Sequence, residues 1–329
     1  MVTPDPFLPT LDVMVDECCQ APLPPEVHPG PRASLRRSEV IPLGLCGQGP
    51  GFPGDRAFSR AAQRPRRSAC PTLPHRTPFK RLLRQHSAAI VAFCRPLADW
   101  LAGRPAPYEA LEGWAVPTRE ATRRGAGWPP GLGDSGWSNR VGWDEGSPLL
   151  MALPPRGLIP GFGGGPARAK GPPLAETVFA SRQRPHPGCL RGGQPALGPS
   201  VCEKGFEGQT APTRWGQCYR ARVLGPPKRH SHPPWSTRMR RGLAGGRQLV
   251  ATVDAKVHQT LRLRRERPHA LSGFQARLAA KMALPTVCLW LNAPRGRPHL
   301  ACADVVDWSH DPLSHQTLKY LRLRCSPQA

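Results

Sequence analysis

Proline and glycine interrupt this chain so often that long regular elements are not expected through most of it. There are 43 Pro and 34 Gly among 329 residues. Each proline removes a backbone donor and fixes φ, and each glycine adds entropy that ordering must take away. The residues that offset such losses by burial are few. Leu, Ile, Val and Phe together make up about a fifth of the chain, a level typical of polypeptides that stay unfolded. The expected fold class is therefore mostly disordered or irregular. Isolated α-helices are expected near residues 78–95, 249–267, 272–284 and 313–324, with no large core.

The charge is one-sided. Lys and Arg number 46 against 22 Asp and Glu, a formal net charge of +24. Thirty-nine of the 46 are Arg, while Ile, Lys, Asn and Tyr, the residues of AT-rich codons, are scarce. A GC-rich reading frame accounts for both facts. The economical expectation is a product with no dedicated biochemical activity, and an enzyme is not expected. The same arginines suit a second reading, a basic disordered protein that binds RNA or DNA non-specifically. A guanidinium presents a planar fork to phosphate, and binding by counterion release is salt-sensitive. The basic segments lie around 64–84, 228–247 and 262–267, and the candidate contacts are Arg238, Arg240, Arg241, Arg262, Arg264 and Arg265. Lys228-Arg229 followed, after eight intervening residues, by Arg238, Arg240 and Arg241 resembles a bipartite nuclear-import signal, so a nuclear location is expected.

Five segments follow from composition. Residues 1–30 are acidic and hold no Lys or Arg. Residues 31–77 form a Pro/Arg-rich linker. Residues 78–102 carry the clearest helical period: Phe79, Leu82, Leu83, Ile90, Phe93, Cys94 and Leu97, with Pro96 expected to end or kink the helix. Residues 103–247 read as a Gly/Pro/Arg-rich disordered region. Residues 248–325 are poorer in Pro and suggest a small, mainly helical unit. Within it Pro285 should stop one helix, and Val287–Leu291 reads as a short strand or buried run.

Eleven scattered cysteines, an odd number, form no disulfide framework, and no Asn-x-Ser/Thr sequon or basic-then-apolar leader occurs. The expected setting is intracellular and reducing, not secreted. No apolar run reaches the ~18 residues that a membrane span needs.

The sequence holds no phosphate-loop, zinc-helix or nucleophile-elbow signature. Cys288, His299, Cys302 and His310 match no standard zinc spacing. No catalytic residue, cofactor, metal or small-molecule substrate is expected. The least expected pattern is Gly113-Trp114, Gly127-Trp128, Gly136-Trp137 and Gly142-Trp143, four pairs within 31 residues. This resembles the Gly-Trp repeats by which disordered proteins bind Argonaute. The resemblance implies a scaffold that docks exposed Trp114, Trp128, Trp137 and Trp143 into a partner's pockets. The basic helix at 78–95 is a second docking candidate, for a groove-bearing protein.

Overall fold

The computed structural model describes residues 11, 13–16, 34–50, 52, 54–62, 73–102, 108–117, 134–138, 142–165, 169, 171–183, 198–202, 206, 210–226, 236–266, 270–293, 296–298, 300 and 301. The expected helix at 313–324 lies outside them, as do most of segment 1–30 and the linker around 63–72. The described residues form two units. One holds residues 1–96, 186–190 and 275–329, and the other holds 97–185 and 191–274.

The first unit is helical. Helix α1 spans Arg37–Gln48, α2 Asp55–Ala62 and α3 Arg76–Gln85, and α4 covers Ser87–Ala102, with the unit boundary between Pro96 and Leu97. The Arg36 N–H donates to the Glu39 carboxylate at 2.6 Å, so a side chain satisfies an N–H ahead of α1. The helical period at 79–97 is real, but it is split. His86 (φ −97°, ψ 10°) separates α3 from α4. Pro96 does not end the second helix, which runs on to Ala102. Phe79, Leu82, Leu83, Ile90, Phe93 and Cys94 are all buried.

Among the described residues the last helix is α8, over Leu271–Asn292. Pro285 was expected to stop a helix at 284, with a strand or buried run following. The helix instead continues through Pro285, and Val287–Leu291 is its buried last stretch. An apolar run without polar interruption has the same signature in a buried helix and a buried strand. Nearly every residue from Leu278 to Asn292 is buried, so packing outweighs the missing proline donor.

The second unit overturns the expectation of a mostly disordered chain. Among the described residues its strands all lie within 103–247, the stretch expected to be irregular. They are β1 (Glu109–Pro117), β2 (Asp134–Ser138), β3 (Gly142–Leu153), β4 (Gly161–Gly164), β5 (Ser200–Val201) and β6 (Val223–Leu224). They form one mixed sheet in the order β2-β3-β1-β5-β6, with β4 also pairing β3. The β1–β3, β2–β3 and β3–β4 pairs are antiparallel, while β1–β5 and β5–β6 are parallel.

Register explains why average composition misleads. Leu111 lies opposite Ala152, and Gly113 opposite Leu150. Leu111, Leu150 and Ala152 share one face of the sheet, as period two requires. They pack with Leu174, Ala175, Val178 and Phe179 of helix α5 (Gly171–Gln183). Trp215 of helix α6 (Thr210–Tyr219) completes that core, edge-on to Phe179 at 5.6 Å. The opposite face carries Ala110, Trp114, Val116, Leu149, Met151 and Leu153, all buried. The aliphatics of β1 and β3 are thus few, and each is buried on one face of the sheet or the other.

Proline and glycine also find strand positions that suit them. Pro148 sits between the β3 residues paired with β2 (Gly142–Gly146) and those paired with β4 (Leu149–Ala152), where a missing N–H costs least. A Cβ on Gly163 would crowd Thr177 and Val178 at 3.1–3.2 Å. Glycine there lets β4 lie directly against α5.

Helix α7 (Thr237–Ala255) follows, then a π turn (Lys256–Thr260) and a 3₁₀ turn (Leu263–Arg265). The helix expected at 249–267 therefore begins earlier and ends in distorted turns. Val250, Val253, Val257 and Leu261 are its buried stripe, and α7 and the 3₁₀ turn both touch β1. Among the described residues no helix is long and apolar enough to cross a membrane.

Candidate functional site

The six arginines singled out in sequence all belong to the second unit and to one continuous segment. Arg238, Arg240 and Arg241 open α7 and are exposed. Arg264 and Arg265 occupy the 3₁₀ turn and are exposed as well. Arg262 is half-buried and adopts the left-handed conformation at φ 58°, an uncommon state for a residue with a Cβ. Arg262 thus acts as the corner that redirects the chain after the π turn.

The local sequence dictates which face of α7 meets water. Val250 and Val253 fix the inner side, continued by Val257 in the π turn. Arg238, Arg241, Gly245, Gln248 and Thr252, spaced three or four apart, are exposed. The first turn of α7 contains no carboxylate, although that is where the helix dipole favours one and disfavours cations. Beside these cations, Arg240 Nη2 donates to Thr237 Oγ1 at 3.5 Å. The carboxylate of Asp254, at the far end of the helix, lies 3.0 Å from Nε2 of buried His258, whose ring is 6.4 Å from that of Trp114.

Of the four tryptophans, only Trp114 has its side chain among the described residues, and its burial does not suit docking. Trp114 is 7% exposed on β1. Trp137 and Trp143 lie directly opposite each other in the β2–β3 pair, and their side chains lie outside the described residues, as does Trp128 altogether. In the 78–95 helix pair, Phe79, Leu82, Leu83, Ile90, Phe93 and Cys94 are buried within the first unit, while Arg81, Arg84 and Val91 are exposed.

Three polar arrangements were not seen in sequence. In the second unit Arg182 donates Nη1 and Nη2 to Glu109 Oε1 and Oε2 at 2.9 and 2.8 Å, and the Ser200 hydroxyl donates to Oε1 at 2.6 Å. Glu109 and Ser200 are fully buried. Three donors hold the carboxylate, which suits a structural cross-link between β1, β5 and α5 more than proton transfer. The partners are 73 and 91 residues apart, so no local spacing announces them. The Asp254–His258 pair, at i and i+4, was visible in sequence in principle.

The third arrangement is in the first unit. Asp55 accepts from Gln48 Nε2 at 2.9 Å and lies 2.7 Å from the Lys80 ammonium. Burial pushes the Asp55 carboxyl up, but the hydrogen bond and charge of Lys80, the charge of Arg277 and the Gln48 amide outweigh it. The net effect holds the carboxyl below the usual range. This pair borders a shallow groove lined by Gly44, Gly47, Phe58, Phe79 and Leu83. Among the described residues no group of three or more His, Cys, Asp or Glu could hold a metal ion.

No protein-family model, curated protein sequence or solved structure matches the chain.

Proposed function

We propose that the chain is a non-enzymatic nucleic-acid-binding protein that engages the sugar–phosphate backbone through the arginines of α7 and the turns after it. The observation that carries the reading is the exposure of Arg238, Arg240, Arg241, Arg264 and Arg265 on one segment, three of them at a helix start with no carboxylate. Phosphate is the ligand that suits both features. It takes the guanidinium fork, and it is attracted to the free N–H groups of a helix N-terminus. A nuclear location accords with this reading through the basic pair Lys228-Arg229 and the arginines that follow.

Retention on immobilised RNA and DNA tests it. Five phosphate contacts predict that affinity falls about 500-fold as salt rises from about 50 to about 200 mM. Replacing the five arginines by Ala should remove most of that dependence. Binding that ignores salt, or no binding at low salt, rejects the reading and leaves a chain without dedicated activity as the better account.

A further inference from the structure

We propose that the corner between α6 and β6 is a second phosphate-binding point, formed by Arg220 and Arg222. This rests on the nucleic-acid reading above and extends it to residues outside the α7 segment. Among the described residues only two other than glycine hold a positive φ, and both are arginines: Arg262 at 58° and Arg220 at 52°. Glycine takes such a position at no steric cost and is the usual residue where a helix ends in this way. A residue with a Cβ there is an outlier that asks for a reason.

The fold shows why the backbone turns at Arg220. Trp215 of α6 is fully buried, and Ala221, just past the helix, is buried too. The Arg220 N–H donates to the Gly216 carbonyl at 3.1 Å, and the Ala221 N–H donates to the Trp215 carbonyl at 3.2 Å. These bonds close the helix and bring Ala221 into the core, with Arg220 as the left-handed link. One residue after Ala221, the Arg222 carbonyl accepts from the Ser200 N–H at 2.7 Å, which ties the chain to β5. Both arginines are exposed, on backbone that is already fixed. A ligand therefore has only side chains to order, which keeps the entropy cost of binding low.

The surroundings of the corner do not account for its charge. The dipole of α6 favours a cation at the helix C-terminus, yet the last turn of α6 holds no basic residue. The cation stands just beyond it, where the backbone disfavours a Cβ. The Glu176 carboxylate that faces α6 is already engaged, by Arg214 Nη2 at Oε2 and by the Tyr219 hydroxyl at Oε1, the latter at 3.1 Å. Among the described residues neither Arg220 nor Arg222 has an ion-pair partner. Two full positive charges outweigh the roughly half negative charge of a helix end, so the corner attracts anions, and the guanidinium fork matches phosphate. A nucleic acid is favoured over an acidic peptide because the same unit exposes the arginines of α7 and its turns.

The test is footprinting of the full chain with an arginine-selective dicarbonyl reagent, read by mass spectrometry, with and without a saturating DNA duplex of mixed sequence. At about 50 mM salt the duplex should slow modification of Arg220 and Arg222 about threefold or more, and about 200 mM salt should restore it. Arg220→Gly should melt no lower than the unsubstituted chain, since glycine relieves the left-handed backbone. Arg220 and Arg222 left unprotected while the arginines of α7 are protected overturns the inference and leaves the nucleic-acid reading standing. A melting temperature lowered by several degrees in Arg220→Gly also overturns it, by making Arg220 a structural residue. Protection by polyglutamate but not by DNA assigns the corner to an acidic partner and overturns it as well. Absence of salt-dependent binding to any nucleic acid sinks this inference and its parent reading together.

Discussion

The two units reach a buried core by different routes. In the first, the elements are local: Phe79, Leu82 and Leu83 line one face of α3 by helical spacing alone, and Ile90, Phe93 and Cys94 do the same for α4. In the second, little is local. β1 takes its partners from residues 146–153 and 200–201, and its Glu109 is satisfied from 73 and 91 residues away. A helix declares itself in a window of a dozen residues. A sheet built from two- to twelve-residue strands does not, because each strand is stable only once its partners arrive. Low aliphatic content therefore misled most in the unit where the aliphatics are best organised.

The largest expected effect attacks the long-range route. Glu109→Ala leaves the Arg182 guanidinium buried without its carboxylate, and breaking a buried pair in this way costs about 3–5 kcal/mol. Urea titration followed by fluorescence should show that loss in the second unit. A loss below about 1 kcal/mol, the usual worth of a surface pair, would mean that the pair does not organise the sheet.

A core truncation should rank next. Trp215 is fully buried in the α5–α6 side of the core. Trp215→Ala is expected to cost about 3–5 kcal/mol, at the lower end if the site collapses around the cavity. Trp215→Phe keeps an aromatic edge toward Phe179 and removes a buried N–H that has no acceptor among the described residues. It should cost less than about 1.5 kcal/mol. Equal losses for the two variants would show that the site is not tightly packed.

The smallest effect belongs to the first unit. The Asp55 carboxyl titrates lower in the folded state than its ordinary value of 3.8. A depressed carboxylate adds stability above its unfolded pKa and loses it as pH falls through the folded one. Acid unfolding of the first unit should therefore acquire a contribution below about pH 4 that Asp55→Asn removes. Near neutrality the substitution should cost about 1 kcal/mol or less, because Lys80 is 40% exposed and screened by solvent. An unchanged acid limb in the variant would remove Asp55 from the account.

The sequence made the helical residues of 79–97 legible because their period is intact over two turns. The outer face of α7 was legible in part, since its arginines could be named although the start of the helix could not. Thr237–Gly246 contains three glycines and no aliphatic stripe, and only the later valines show the period. The strands were hidden for three physical reasons. Glycines in β4 satisfy close approach to α5 rather than turn formation, Pro148 occupies a tolerated gap in β3, and Gly113-Trp114, Gly136-Trp137 and Gly142-Trp143 sit in paired strands. The Glu109–Arg182–Ser200 cross-link could not have been found without the fold, since nothing in the flanking residues marks any of the three.

The central claim is that residues 109–153 form a sheet fixed by distant partners, and amide hydrogen exchange on the full chain tests it most directly. The account predicts slow exchange in β1 and in β3 from Gly146 to Leu153, with protection lost from both strands together in Glu109→Ala. Uniformly fast exchange across 109–153, while α3 and α8 stay protected, would contradict it.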